Sequence, residues 1–356
     1  MTYPKLKLDY NKLKDNVATM KQRCLDGGIS TLAGVTKVFS ADPRMAQAYV
    51  EGGVDFLADS RIQNIKKLQD FPVPKILLRI PMLSEVEDVV KYADYSLNSE
   101  LETLRALNEA AKKQDKTHKV VLMADLGDLR EGFFKEEDFY EAVEEVLGLE
   151  GLYLAGIGVN LTCYGAVIPK PEILNQLNIY KEEIKARYDH DLEIVSGGNS
   201  SSVYLVGKED LPGINNLRLG EALVLGTESA YAQNIEGLNQ DAWTLEAQII
   251  ECKEKPSVPT ADELGLDAFG HEPSFVDRGI RMRAIIGLGK QDIDTENMIP
   301  LDPDVIILGG SSDHIIIDVT DAKKDYKVGD ILSFRLSYGG ILSLCTSEFV
   351  EKEVVK

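Results

Sequence analysis

The sequence predicts an α/β fold, a (β/α)8 TIM barrel followed by a mostly antiparallel β domain. Three observations predict it. Between about residues 30 and 226, short β-rich runs alternate with longer segments of helical period. Those runs are nearly continuous in apolar character, as parallel strands covered on both faces must be. After about residue 230 the helical period fades and Gly, Pro and Asp punctuate a series of short β-rich runs. The predicted boundaries are 1–10 for an N-terminal strand joining the β domain, 11–230 for the barrel and 231–356 for the C-terminal β domain.

Taken in order, the expected barrel strands are STLAGVTK (30–37), DFLADS (55–60), KILLRIP (75–81), YSLNS (95–99), HKVVLMADL (118–126), YLAGIGVNLT (153–162), LEIVSGG (192–198) and NLRLGEALVLG (216–226). Amphipathic segments separate them. In LSEVEDVVKYA, Val86, Val89, Val90 and Ala93 recur at the spacing that lines one helix face. Eight such units in roughly 200 residues match the count of a closed barrel and would make a very wide open sheet. TLEAQIIECK, RMRAIIGLG, VIILGGSS, HIIIDVT and DILSFRLS supply the later strands, and YPKLKLDY at the N-terminus alternates as an added strand would. The segment EKPSVPTADELGLDAFGHEPSF reads as a long loop.

Charge narrows the partners. The chain has 356 residues, 39 Lys and Arg against 59 Asp and Glu, and a net charge of −20. A surface of that sign repels phosphate backbones and anionic lipid, so neither nucleic acid nor a membrane is an expected partner. The four cysteines, Cys24, Cys163, Cys252 and Cys345, form no CxxC pair and fit a reducing, cytoplasmic setting. No apolar run has the length of a signal segment or a membrane span. The four histidines show no metal-ligand spacing; His314 and Asp318 share a strand face, and no metal is expected. GxSxG, P-loop and GxGxxG patterns are all missing from the sequence.

In a barrel, chemistry belongs at the C-terminal ends of the strands. Those ends carry Lys37, Arg79, Asn98, Asp125 with Arg130, Asn160, the Asn199–Ser200 pair within GGNSSS, and Arg218 followed by Gly220. One lysine, several arginines and a Gly/Ser-rich turn suit an anionic, phosphate-bearing ligand. Arg218 inside an apolar strand demands buried partners. Cys163 falls near the same mouth, where a small apolar packing role is expected of it.

These residues resemble a known group. The chain is similar to the alanine racemase-like family, the fold-type III pyridoxal-phosphate enzymes, and within it to the branch of ornithine racemase and related amino-acid racemases. GVTKVFSADP (34–43) resembles the segment carrying the Schiff-base lysine, which makes Lys37 that residue. DLGDLREGF (125–133) is similar to the stretch whose arginine, here Arg130, faces the cofactor's phenolic oxygen and the substrate carboxylate. By the same resemblance Asn199 and Ser200 belong to the phosphate site, Arg218 to the pyridine nitrogen, and the backbone of Gly220 and Glu221 to the phosphate again. Tyr338 corresponds to a C-terminal phosphate-contacting tyrosine.

The sequence departs from the family at named positions. Ala41 stands where a phosphate-binding tyrosine is usual, Asn160 replaces the histidine under the cofactor ring, and Phe275 lies nearest the tyrosine that serves alanine racemase as second base. Asp277 is the first candidate for that base, beside His271 and Asp313. The carboxylate of Asp277 or Asp313 could instead bind a substrate side-chain ammonium. The resemblance implies a racemase for ornithine, lysine or another diamino acid, working as a head-to-tail homodimer. A lyase on the same scaffold, aldolase or decarboxylase, and a non-catalytic cofactor carrier are the other readings.

Overall fold

The computed structural model describes residues 2–267 and 269–356, which form two compact units. One unit runs from Tyr10 to Gln240; the other joins the N-terminal residues up to Asp9 with Asp241–Lys356. The first is the barrel. Its strands are β2 (Thr31–Val35), β3 (Phe56–Asp59), β4 (Lys75–Leu77), β5 (Tyr95–Asn98), β6 (His118–Ala124), β7 (Leu152–Val159), β8 (Ile194–Ser196) and β9 (Asn216–Leu219), with β1 reserved for the N-terminal strand Lys5–Asp9 of the other unit. All eight pair in parallel, and β9 closes on β2 with Ala33 opposite Arg218.

Alternate residues fill the interior, as the two-residue period of a strand requires. Ala33, Val35, Phe56, Ala58, Ile76, Leu97, Val121, Met123 and Ile194 form its apolar core. Around it stand α1 (Tyr10–Asp26), α2 (Pro43–Glu51), α3 (Ile62–Lys67), α4 (Val86–Tyr92), α5 (Leu101–Lys113), α6 (Glu136–Gly148), α7 (Pro171–Tyr188) and α8 (Glu221–Leu225). Their starts follow from sequence: Asp42 caps α2 by accepting from the Arg44 N–H at 2.9 Å, and Pro43 and Pro171 open α2 and α7, where a missing N–H costs nothing.

The barrel strands end earlier than the sequence reading gave, and three of these ends bear on the site. The first strand stops at Val35, and Lys37 opens a single 3₁₀ turn, Lys37–Phe39, before Ser40 and Ala41 at positive φ. The third stops at Leu77, which leaves Arg79 to pair with Glu85 at 2.9 Å. The apolar run EALVL is the helix α8 rather than a continuation of strand eight, because Gly220 breaks the extended backbone and Gly226 closes the turn in the left-handed region. The barrel unit also continues past residue 230 to Gln240. Residues 227 and 234 bridge, the Ile235 N–H bonds Gly226 O, and Asn16 donates to Leu223 O and Asn239 O, tying the segment back onto α1 and α8.

The second unit is a β sheet in the order β12-β15-β10-β11-β14-β13, with β1 pairing β10 and β16. The strands are β10 (Trp243–Pro256), β11 (Ile280–Ile286), β12 (Met298–Pro300), β13 (Ile306–Gly310), β14 (Ile315–Asp318), β15 (Ile331–Leu336) and β16 (Glu351–Val355). Long β10 alternates buried Trp243, Leu245, Ala247 and Ile249 with more exposed neighbours, then shifts register between Ile249 and Glu251 as it changes partners from β15 to β11. The pairing of β1 with β16 is parallel and the rest of the named pairs in this unit are antiparallel. A helix the sequence did not suggest, α9 (Tyr338–Thr346), starts at a Ser337 cap; its two adjacent glycines hide it from propensity.

Candidate active site

Lys37 is half-buried at the C-terminal end of β2. The residue before it is anchored firmly. Thr36 Oγ1 donates to Asp59 Oδ2 at 2.8 Å, and Asp59, fully buried at the end of β3, also accepts from Asn64 Nδ2 and the Arg61 N–H, each at 3.0 Å. Burial pushes the Asp59 carboxyl up, and these donors oppose the rise. The lysine therefore projects from a backbone fixed by the neighbouring strand.

Arg218 points inward from β9 and is buried. Its Nη1 donates to Ser196 Oγ, and its Nη2 donates to Val159 O at 2.8 Å and Asn160 Oδ1 at 2.9 Å. Room for it comes from Gly158, where a methyl group would come within 3.3 Å of Nη1. Burial pulls its pKa down to about 10, with Glu131 acting the other way, so the guanidinium stays charged at neutral pH. A fixed cation inside a barrel of Ala, Val and Ile has no use in packing.

Arg130 sits on the loop between β6 and α6. Its Nε and Nη2 both donate to the Glu131 carboxylate, and Glu131 also accepts from Asn160 Nδ2. The loop is tightly wound. Asp125 Oδ1 caps the N–H groups of Gly127 and Leu129, and Gly132, at φ +133°, lies where a Cβ would fall 2.4 Å from the Asp125 nitrogen. Beneath it the buried Asp128 carboxylate accepts from four N–H groups of the β7–α7 loop: Thr162 at 2.9 Å, Cys163 at 3.0 Å, Tyr164 at 2.9 Å and Val167 at 3.2 Å. Burial alone would raise its pKa; the four donors outweigh it and hold the carboxyl below the usual range.

That clamp joins the two loops bearing Arg130 and Asn160, and it gives a prediction. Asp128→Asn turns an amide N–H edge toward backbone donors and should cost about 3 kcal/mol at neutral pH. Because the folded pKa is depressed, the wild-type stabilisation is present above the unfolded value of about 3.9 and is lost as pH falls through the folded value. Thermal unfolding should show a large gap between variant and wild type at neutral pH and a shrinking one below about pH 4.

Asn199 caps the 3₁₀ turn Ser200–Leu205 by accepting from the Ser201 N–H, and its Nδ2 donates to Leu161 O at 2.9 Å and Cys163 Sγ at 3.3 Å. Ser200 Oγ accepts from the Ala222 N–H at 3.0 Å, which seats the Asn-Ser turn against Gly220 and Glu221 at the start of α8. Cys163 is exposed here, which corrects the packing role expected of it. Desolvation raises its thiol, while the charges of Arg130 and Lys37 pull it down. Arg218 in turn feels Cys163, Glu131 and Arg130. Lys37, Arg130 and Arg218 thus share one electrostatic neighbourhood with Asn160, Asn199 and Glu131.

Other strand-end residues go elsewhere. Asn98 turns back onto Ser96, whose hydroxyl meets His118 Nε2 at 2.8 Å; burial lowers that imidazole to about 4, so it is neutral. Asp125 is a loop cap. In the β unit, Asp277 is exposed, accepts from the Gly279 N–H and Ser257 Oγ, and is held below the usual carboxylate range by them. Asp313 accepts from His314 Nδ1 at 2.9 Å, and His271 faces Asp267 at 3.5 Å. Asp318 is committed to Arg281 at 2.8 Å and to Thr320. Tyr338 is half-buried in the first turn of α9.

Glu131, Asp128 and Asp59 are the residues that sequence reasoning missed. Glu131 and Asp128 stood inside the DLGDLREGF stretch, but adjacent side chains such as 130 and 131 diverge in regular structure, and only this turn makes them meet.

A barrel with a lysine at the end of its first strand and an arginine buried in its last, together with a β unit, defines a class. Residues 8–228 match the family described as alanine racemase, N-terminal domain, and the chain belongs to that family. It is 53% identical over 354 residues to an ornithine racemase of Acetoanaerobium sticklandii, covering 99% of this chain and 100% of that one. It is 42% identical over 355 residues to a lysine racemase of Thermotoga maritima, covering 99% and 98%. Among solved structures, the alanine racemase of Bartonella henselae with covalently bound pyridoxal phosphate shares the fold over 100% of both chains, with a TM-score of 0.75 at 17% identity.

Proposed function

We propose that this protein is a pyridoxal-phosphate-dependent isomerase that interconverts the L- and D-forms of a diamino acid, ornithine first and lysine next. One observation carries the reading: Lys37, Arg130 and Arg218 share one electrostatic neighbourhood at the barrel mouth, each on a stretch that resembles a motif of the family. The relatives that act on ornithine and lysine support the substrate class.

The donor set suits the cofactor. Lys37 would hold it covalently, Arg218 would face the ring nitrogen, and Asn199, Ser200 and the backbone of Gly220 and Glu221 would take the phosphate, with Tyr338 as a further contact. Asn160 would lie beside the ring through its bond to Arg218. When bound, pyridoxal phosphate supplies an electron sink that acidifies the substrate Cα–H. Everything else falls to the chain. Arg130 orients the substrate carboxylate through the guanidinium edge that Glu131 leaves open. Lys37, its amine freed when the substrate amine takes its place on the cofactor, would move the Cα proton on one face. Arg218 would donate a hydrogen bond to the ring nitrogen without surrendering its proton, since a guanidinium stays charged, and so would temper the electron sink the cofactor supplies.

The opposite face needs a second acid–base group. Asp277 is our first assignment, because its carboxylate stays ionised near neutral pH and can accept a proton; Asp313 is assigned to the substrate's side-chain ammonium. We further propose a cytoplasmic head-to-tail homodimer. Four free cysteines support the reducing compartment, and no helix among the described residues is long and apolar enough to cross a membrane. Chiral chromatography of L-ornithine, L-lysine and L-alanine after incubation with cofactor-loaded protein tests the function. Conversion of ornithine or lysine to its D-form is expected; turnover of alanine alone would sink the diamino-acid assignment.

A further inference from the structure

Glu131 is a carboxylate among cations, and its two bonds run in opposite directions. Outward, it takes the side-on edge of Arg130, Nε and Nη2, in a two-pronged pair. Inward, it accepts from Asn160 Nδ2, and Asn160 Oδ1 in turn accepts from Arg218 Nη2 at 2.9 Å. The side chain is only 16% exposed, against 41% for Arg130. Arg218 touches a hydroxyl, a carbonyl and an amide oxygen, and among the described residues no carboxylate is bonded to it directly.

Asn160 is held by charge at both ends. A guanidinium requires its oxygen and a carboxylate requires its nitrogen, so the amide has one orientation available. Replacing Glu131 by a neutral group would weaken that constraint: Arg218 would still ask for the amide oxygen, but the amide nitrogen would lose its charged acceptor and its hold on the loop of Arg130. Arg130 would lose its fork and gain rotamers, at a position where the bound carboxylate must find one fixed edge.

We propose that Glu131 is a positioning residue for both arginines of the site. It fixes Arg130 with the end-on edge turned to the substrate carboxylate, and through Asn160 it fixes the acceptor that holds Arg218. The inference rests on the racemase reading above and adds a determinant of ground-state binding to it. Glu131 touches no reacting atom in this scheme, so its loss acts on binding more than on the proton-transfer step.

The test compares wild type, Glu131→Gln and Glu131→Asp. Three quantities are measured: KM and kcat for ornithine racemisation, the Kd of the apoprotein for pyridoxal 5′-phosphate by fluorescence titration, and the thermal midpoint. For Glu131→Gln the expected result is a KM raised about tenfold or more, a Kd weakened by a similar factor, and a smaller change in kcat. Its thermal midpoint should stay within a few degrees of wild type, since Gln keeps the shape of the side chain and an amide oxygen that can still accept from Asn160 Nδ2. Glu131→Asp keeps the charge with less reach and should fall between. Values of KM and Kd within twofold of wild type in Glu131→Gln would overturn the proposal, and so would losses that simply track a lowered midpoint. A wild-type protein that binds no pyridoxal 5′-phosphate would instead overturn the racemase reading, and this inference with it.

Discussion

Lys37→Ala should abolish racemisation, with a fall of more than about 10⁴-fold, because one substitution removes both the proposed covalent anchor and one of the two proposed proton-transfer groups. The fold should survive it. Lys37 is half-buried on a backbone held by the Thr36–Asp59 bond, and neither partner of that bond is changed. Wild type should show a visible absorbance band that borohydride removes, and the variant should lack the band at an unchanged thermal midpoint. A variant that keeps either the band or the activity would remove Lys37 from its assigned place.

Arg218 carries the second large effect. Arg218→Lys keeps a charge and loses the fork that reaches Ser196, Val159 and Asn160 together. An ammonium at the end of a single stem cannot satisfy all three, and a buried acceptor left without a donor costs about 1–3 kcal/mol. We expect kcat to fall by about 10²–10³-fold, the range seen when one fixed electrostatic donor is removed from an active site. The thermal midpoint should fall as well. Arg218→Ala should be worse in stability, since all three acceptors then face the space the side chain vacates. Kinetics of the lysine variant near wild type would show that any buried cation serves, contrary to the geometry described.

The fold was readable because its signals are long and redundant. Each of the eight barrel runs overlaps a strand, and the interior residues at 33 and 35, 56 and 58, 95 and 97, and 121 and 123 follow the alternation that parallel strands impose. Strand ends were harder to read. VTK, RIP and GEALVLG are β-like in composition, yet each chain segment turns as soon as it leaves the barrel ladder. The boundary near 230 moved to 240 because side chains of α1, Asn16 above all, capture the following segment, a long-range contact with no local mark.

The site was legible to the extent that cations stand out in apolar surroundings. Lys37 and Arg218 are conspicuous at or within β-rich runs of an acidic chain. Carboxylates are not conspicuous in a chain with 59 of them. Asp128 and Glu131 acquire their places only when two loops close on each other, bringing together positions some 30 residues apart, such as Glu131 with Asn160. Spacing along the sequence does not encode that meeting.

That this chain moves a proton at Cα and leaves every carbon–carbon bond intact is open to direct measurement. It is tested most directly by following L-ornithine in deuterium oxide by mass spectrometry and chiral chromatography. D-ornithine carrying deuterium at Cα is expected, with both enantiomers approaching equal amounts from either starting side. A decarboxylated amine, an aldehyde product, or ornithine recovered without deuterium at Cα would contradict it.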